Sequence, residues 1–173
     1  MRQPGKGHRP PSAVRTKSRH SRERTLICGY GNPGRGDDGL GQALIARLEK
    51  DPRLRCRADI RTEVRLQLNI EDALTVSGFE RVIFADAATR GRGPYTFTTI
   101  RPASQWSFST HALSPGSVLA LCRDLYAITP RAFLLGIRGY QWEFGQGLSD
   151  KAARGLDRAA AFLLKRLGST RND

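Results

Sequence analysis

Thr25-Leu26-Ile27-Cys28-Gly29-Tyr30-Gly31-Asn32-Pro33-Gly34 starts as a short apolar run and breaks into glycines, and a segment of helical period, Gly39 to Lys50, follows close behind. Thr25 to Cys28 reads as a brief strand. In the next segment Leu40, Ala43, Leu44 and Leu48 recur on one face, while Arg47, Glu49 and Lys50 look elsewhere. The pattern continues down the chain. From Ile60 to Leu66, the set Ile60, Thr62, Val64, Leu66 alternates with Arg61, Glu63, Arg65, which predicts a strand with one wet face. Asn69 to Ser77 predicts a short helix, with Asn69 as N-cap and Glu71 and Asp72 in the dipole-favoured first turn. Val82-Ile83-Phe84-Ala85 is unbroken apolar sequence, as in a strand covered on both faces.

Tyr95 to Ile100 predicts a further strand. Ser114-Pro115 opens a helix, serine as cap and proline in the first turn, with a stripe of Val118, Leu121, Cys122 and Leu125. Ala132 to Ile137 is another buried strand. Ser149-Asp150 begins a last helix whose stripe is Ala152, Leu156, Ala159, Leu163 and Leu167. Strands alternating with helices predict an α/β protein: a mostly parallel sheet of about five strands with helices on both faces.

At 173 residues, 39% hydrophobic and 26% charged, the chain suits one folded domain with a sizeable core. No apolar run approaches the length of a membrane-spanning helix, and no apolar stretch follows the basic N-terminus as in a secretory signal. Three cysteines (Cys28, Cys56, Cys122) at unrelated spacings make neither a disulfide framework nor a zinc motif, and they fit a reducing cytoplasm. Of the net charge of +13, residues 1–24 carry +7, from eight of the 29 basic residues against the single acid Glu23. That segment is rich in Pro, Gly and Ser and holds no aromatic residue, so it reads as a disordered basic tail ahead of a domain spanning 25–173. Without aromatics to stack on bases, a nucleic-acid arm is not the expectation.

The run Gly29 to Gly34 has the form G-x-G-x-x-G between a strand and a helix, which raises the alternative of a dinucleotide-binding α/β protein. Two features oppose it. Asp37 and Asp38 stand at the helix entrance where a pyrophosphate would need positive potential. The acid that should hold a ribose at the end of the next strand is also misplaced, Asp59 lying before that strand and Glu63 within it. No G-K-[ST] follows, so a P-loop is excluded, and no G-x-S-x-G supports a serine nucleophile. What the loop does supply is a carboxylate pair at the C-terminal edge of the first strand, one member of which is expected to cap the helix.

Asp86 follows the apolar run Val82 to Ala85, so it too is expected at a C-terminal strand edge. His111, the only histidine outside residues 1–24, stands just ahead of the Ser114 cap. Together Asp38, Asp86 and His111 would offer two oxygen ligands and one imidazole nitrogen on one rim, a set suited to a borderline divalent ion such as nickel or zinc. A cysteine protease pairing His111 with a thiol is a rival. Cys28 in a strand and Cys122 on an apolar stripe read instead as packing.

In this order Gly29-x-Gly31-Asn32, Asp37-Asp38-Gly39-x-Gly41, the strand ending in Asp86 and Ser109-Thr110-His111 with Leu113-Ser114 resemble the [NiFe]-hydrogenase maturation protease family. Gly136-Ile137 and Phe144-Gly145-x-Gly147-Leu148-Ser149 continue the likeness, which runs from Thr25 to about Leu167. The resemblance implies a three-layer α/β sandwich and an endopeptidase, acting as a cytoplasmic monomer, that removes the C-terminal extension of a hydrogenase large-subunit precursor after nickel insertion. It further implies that Asp38, Asp86 and His111 meet nickel already seated in that substrate, on a supporting loop of Gly29, Gly31, Asn32, Asp37 and Gly39. Gln67 to Asp72 is similar to a subgroup serving cytoplasmic, NAD-linked hydrogenases. The tail is longer than usual for the family, and Gly139 stands where many members have proline. Which group activates water is left open by the sequence.

Overall fold

The computed structural model describes residues 22–104 and 113–169. Strands β1 (Thr25–Tyr30), β2 (Ile60–Arg65), β3 (Arg81–Ala88), β4 (Tyr95–Ile100) and β5 (Arg131–Arg138) form one sheet in the order β2-β1-β3-β5-β4. The first four in that order run parallel, and β4 closes the edge antiparallel to β5. The helices are α1 (Leu40–Glu49), α2 (Pro52–Arg55), α3 (Asp72–Ser77), α4 (Pro115–Tyr126) and α5 (Asp150–Gly168), with a 3-10 turn, Gly36–Gly39, leading into α1.

The period of two in the strands divides the core in half. Ile27, Ile83, Leu135 and Ile137 pack with α1 and α5, whereas Leu26, Cys28, Val82 and Phe84 pack with α3 and α4. The result is a three-layer α/β sandwich, as the alternation of elements predicts. All five expected stripe residues of α5 are buried, and full burial of each leucine contributes about 1.5–3 kcal/mol. Ser114 and Ser149 cap α4 and α5, accepting the Ser117 and Ala152 N–H groups. At the start of β1, Arg24 N–H donates to Glu80 at 2.6 Å, and Glu23 pairs with Arg81 at 3.8 Å. No helix among the described residues is long and apolar enough to cross a membrane.

Four local expectations need correcting. On β2 and just past its end, Val64 and Leu66 are 47% and 67% exposed, while Glu63 and Arg65 are half-buried. As the edge strand, β2 has a neighbour on one side only, and Arg65 turns inward to bridge Glu63 and Asp72, each at 2.9 Å. Helix α3 starts at Asp72, and Asn69 does not cap it. Instead the Asp72 carboxylate accepts the Asn69 N–H at 2.8 Å. In α4, Leu125 is exposed and Leu119 buried, because the helix end projects beyond the sheet before Ala127 turns left-handed at φ 54°. Finally, β3 runs on through Ala88, so Asp86 lies within the strand and not after it.

Candidate active site

From β1 the chain passes through α1 to β2 on one side, and from β2 through α3 to β3 on the other. This reversal makes the C-terminal ends of β1 and β3 a topological switch point, where open α/β sheets form a crevice. Pairing between the two strands stops at Gly29 and Ala85, while β3 continues beside β5 with Asp86 opposite Gly136. Asp86 therefore stands where β3 leaves β1. Its parity with Val82 and Phe84 turns it to the α3/α4 side of the sheet, the side of Tyr30.

Gly41 brings Asp38 to the same place. A Cβ on Gly41 would run into the carbonyl oxygens of Tyr30 and Ala85, so its lack of a side chain lets the first turn of α1 sit directly on both strand ends. Asp38, three residues upstream, is half-buried above them and accepts the Asn32 N–H at 3.0 Å. Gln42 ties the loop to β2, its amide donating to Gly31 O at 2.8 Å and Arg65 O at 2.9 Å.

The two acidic neighbours have opposite roles. Asp37 is fully buried, yet its carboxylate accepts Tyr140 N–H (2.7 Å), Gln141 N–H (3.1 Å), Ser149 N–H (2.7 Å) and Ser149 Oγ–H (2.8 Å). Burial alone would raise its pKa, but these four bonds outweigh burial and hold it below the ordinary value. Asp37 clamps the segment after β5 onto the glycine loop. Neither Asp37 nor Asp38 caps a helix by its side chain, contrary to expectation, because Asp37 finds its donors far along the chain and Asp38 finds one behind it in the loop.

Asp86 is the carboxyl whose hold on its proton the fold strengthens. Burial, with a further push from the nearby Asp38 charge, raises its pKa from 3.8 to about 6, against hydrogen bonds from the Tyr30 hydroxyl and Ala87 N–H. The Ala87 bond measures 2.7 Å. Burial and the Asp86 charge in turn push the Tyr30 hydroxyl well above the usual phenol range, so it stays a neutral donor. Asp38 and Asp86 thus share one crevice, with Tyr30 as a partner that sequence reading missed. The sequence pattern ends the strand at Cys28, whereas β1 runs on to Tyr30 and its register with β3 sets that ring beside Asp86. His111 lies outside the described residues, and among the described residues no group of three metal-ligating side chains forms.

The loop is already spent as an anion cradle. Gly31 N–H donates to Arg65 O, Asn32 N–H to Asp38, Gly34 N–H to the Asn32 side chain, and Arg35 N–H to Asn32 O. No row of free donors is left for a pyrophosphate, which counts against the dinucleotide alternative. Two of the three thiols are also poor nucleophiles. Cys28 is buried and pushed up to about 12, first by burial and then by the Asp72 charge, and burial likewise raises Cys122. Cys56 is exposed, but it follows α2 ahead of β2, at the opposite sheet edge from Asp38 and Asp86.

The architecture is a three-layer α/β sandwich with its acidic pair at the switch point, and solved structures of hydrogenase maturation peptidases share that fold. The [NiFe] hydrogenase maturation protease HycI of Thermococcus kodakarensis KOD1 superposes with a TM-score of 0.66 at 22% identity, over 85% of this chain and 94% of that one. The hydrogenase maturating endopeptidase HybD of E. coli gives 0.63 at 20% identity, over 85% and 93%. The endopeptidase HycI of Escherichia coli gives 0.62 at 17%, over 83% and 91%. At these identities the likeness is one of fold. No protein-family model matches the sequence, nor does any curated protein match it significantly.

Proposed function

We propose that this chain is an endopeptidase of the hydrogenase-maturation type, which removes a C-terminal extension from a [NiFe]-hydrogenase large-subunit precursor. The observation that carries the reading is the meeting of Asp38 and Asp86 at the switch point, with the Asp86 proton held to about pH 6. A carboxyl poised near neutrality can take a proton from attacking water and return it to the leaving amine. Asp38 lies beside it as a second carboxylate, and Tyr30 orients the Asp86 oxygen. The shared fold and the ordered sequence motifs support the same assignment.

Two carboxylates side by side in a half-buried crevice are a fitting donor set for a divalent cation. The nickel in this scheme arrives as part of the substrate, and Asp38, Asp86 and His111 engage it before cleavage. A large protein substrate also suits the surroundings. Leu66, just past the β2 end that receives the Gly31 N–H, is 67% exposed, and Phe144, beside the Gly34–Gly145 bond, is 73% exposed. Large apolar side chains left in water on both sides of the glycine loop are what a docking polypeptide would cover.

The test is to incubate the protein with nickel-loaded and nickel-free precursor and to weigh the products by mass spectrometry. Loaded precursor should lose a short C-terminal peptide with the wild type and stay intact with Asp38→Asn, Asp86→Asn and His111→Ala. Equal cutting of nickel-free precursor would remove nickel from the scheme. Full activity of Asp86→Asn would remove the acidic pair.

A further inference from the structure

Beyond the crevice, where β5 and α5 meet the turn after β3, lies a cavity of about 530 Å³ whose charged lining is entirely cationic: Arg138, Lys151, Arg154 and Arg158. Folding does not account for this set. Lys151, Arg154 and Arg158 follow one face of α5 at spacings of three and four, where like charges oppose helix formation by about 0.2–0.5 kcal/mol per pair. None of the four forms an ion pair among the described residues, whereas Asp157 of the same helix turns away to Arg47 at 3.1 Å. Arg138 is more telling. Its Nη1 donates to Gly91 O at 3.1 Å, yet its Nε is buried with no hydrogen-bond partner. A buried guanidinium donor left open costs free energy, so Arg138 holds its place in this wall at a cost to the fold. The Tyr140 ring lies under both Lys151 Nζ, at 4.3 Å, and the Arg138 guanidinium, at 5.8 Å, and softens their mutual repulsion.

One contact ties the cavity wall to the glycine loop. Tyr140 lines its wall, and the N–H of Tyr140 is held at 2.7 Å by Asp37, the residue next to Asp38. A chain that crossed the rim from Asp38 past Tyr140 to the α5 side would reach this cavity. The size and spacing suit a string of charges better than one ion. Lys151 to Arg158 spans roughly 10 Å at about 1.5 Å per helical residue, the reach of about three extended residues at roughly 3.3 Å each. We propose that the cavity is a subsite for an acidic peptide segment of the protein substrate, which places two or more carboxylates against Arg138 and the α5 cations. This inference rests on the peptidase reading for the identity of the partner, but not for the chemistry of the site.

Calorimetric titration of the full-length protein at low salt with a capped hexaglutamate peptide tests it, with capped hexaglutamine and inorganic phosphate as controls. Hexaglutamate should bind, weaken as salt rises, and bind at least tenfold more weakly to the double variant Arg154→Glu, Arg158→Glu, checked for an unchanged circular dichroism melt. Should the reversal lower the melt, Arg154→Gln with Arg158→Gln serves in its place. Hexaglutamine should not bind, and phosphate at equal concentration should not displace hexaglutamate. Equal binding by the variant, no binding by wild type, or displacement by phosphate would overturn the proposal. In precursor cleavage the same variant should raise KM several-fold and leave kcat within twofold. Wild type that binds hexaglutamate as described but leaves the precursor uncut would sink the peptidase reading and keep the acidic-peptide site.

Discussion

Replacing Asp86 by asparagine should abolish cleavage and yet make the protein more stable at pH 7. The carboxyl is raised from 3.8 to about 6 by burial and by the charge of Asp38. At about 1.4 kcal/mol per tenfold change in proton affinity, that gap is worth at most about 3 kcal/mol of destabilisation once the group is ionised. The folded state holds this proton more tightly than the unfolded chain does. Wild-type stability therefore falls as pH climbs from about 4 to about 6, and the cost is absent below that window. Asparagine keeps an oxygen for the Tyr30 hydroxyl and the Ala87 N–H but gives up the charge-assisted part of those bonds, about 1 kcal/mol. The net gain at pH 7 is about 1–2 kcal/mol, or a Tm higher by roughly 2–8 °C for a domain of this size. Urea and thermal denaturation of both proteins at pH 7 and below pH 4 measure it. A variant less stable than wild type at pH 7, or one stabilised equally at both pH values, would refute the assignment of Asp86 as a strained, proton-holding carboxyl.

Tyr30→Phe removes a bond that pulls the Asp86 pKa down, so the Asp86 titration followed by carboxyl-carbon NMR should move above 6, and an unmoved or lower midpoint would count against it. Asp37→Ala strands four buried donors and should cost about 3–5 kcal/mol in urea unfolding, with faster amide exchange at Tyr140 and Gln141. Because the Asp37 pKa is depressed in the folded state, its contribution is present at neutral pH and is lost as pH falls through that lowered value. Gly41→Ala pushes a methyl into the Tyr30 and Ala85 carbonyls. It should cost about 1–3 kcal/mol and cut processing further than the stability loss explains, since Asp38 rides on the displaced turn. Native protein treated with iodoacetamide should take up one label, at the exposed Cys56, and cleave as before. Loss of cleavage on labelling would revive the thiol rival.

Much of this protein is legible along the chain because its information there is local. Short apolar runs marked the inner strands, a period of two marked β2 and a period of 3.6 the long helices, and Ser114 and Ser149 announced their caps, because side-chain period and cap chemistry act over a few residues. The motif order likewise singled out Asp38 and Asp86. The failures came where a partner distant in sequence decides. Asp37 looks like a helix cap until residues 140–149 supply four better donors, more than a hundred positions away. Val64 and Leu66 look inward-facing until β2 turns out to be an edge strand whose Arg65 prefers Asp72. Tyr30 looks like a loop aromatic until the parallel register of β1 and β3 sets it beside Asp86. Composition and period settle which elements form. Strand order, register and the close seat of Gly41 settle which charges meet, and burial at that junction, with a lesser push from Asp38, shifts the proton of Asp86.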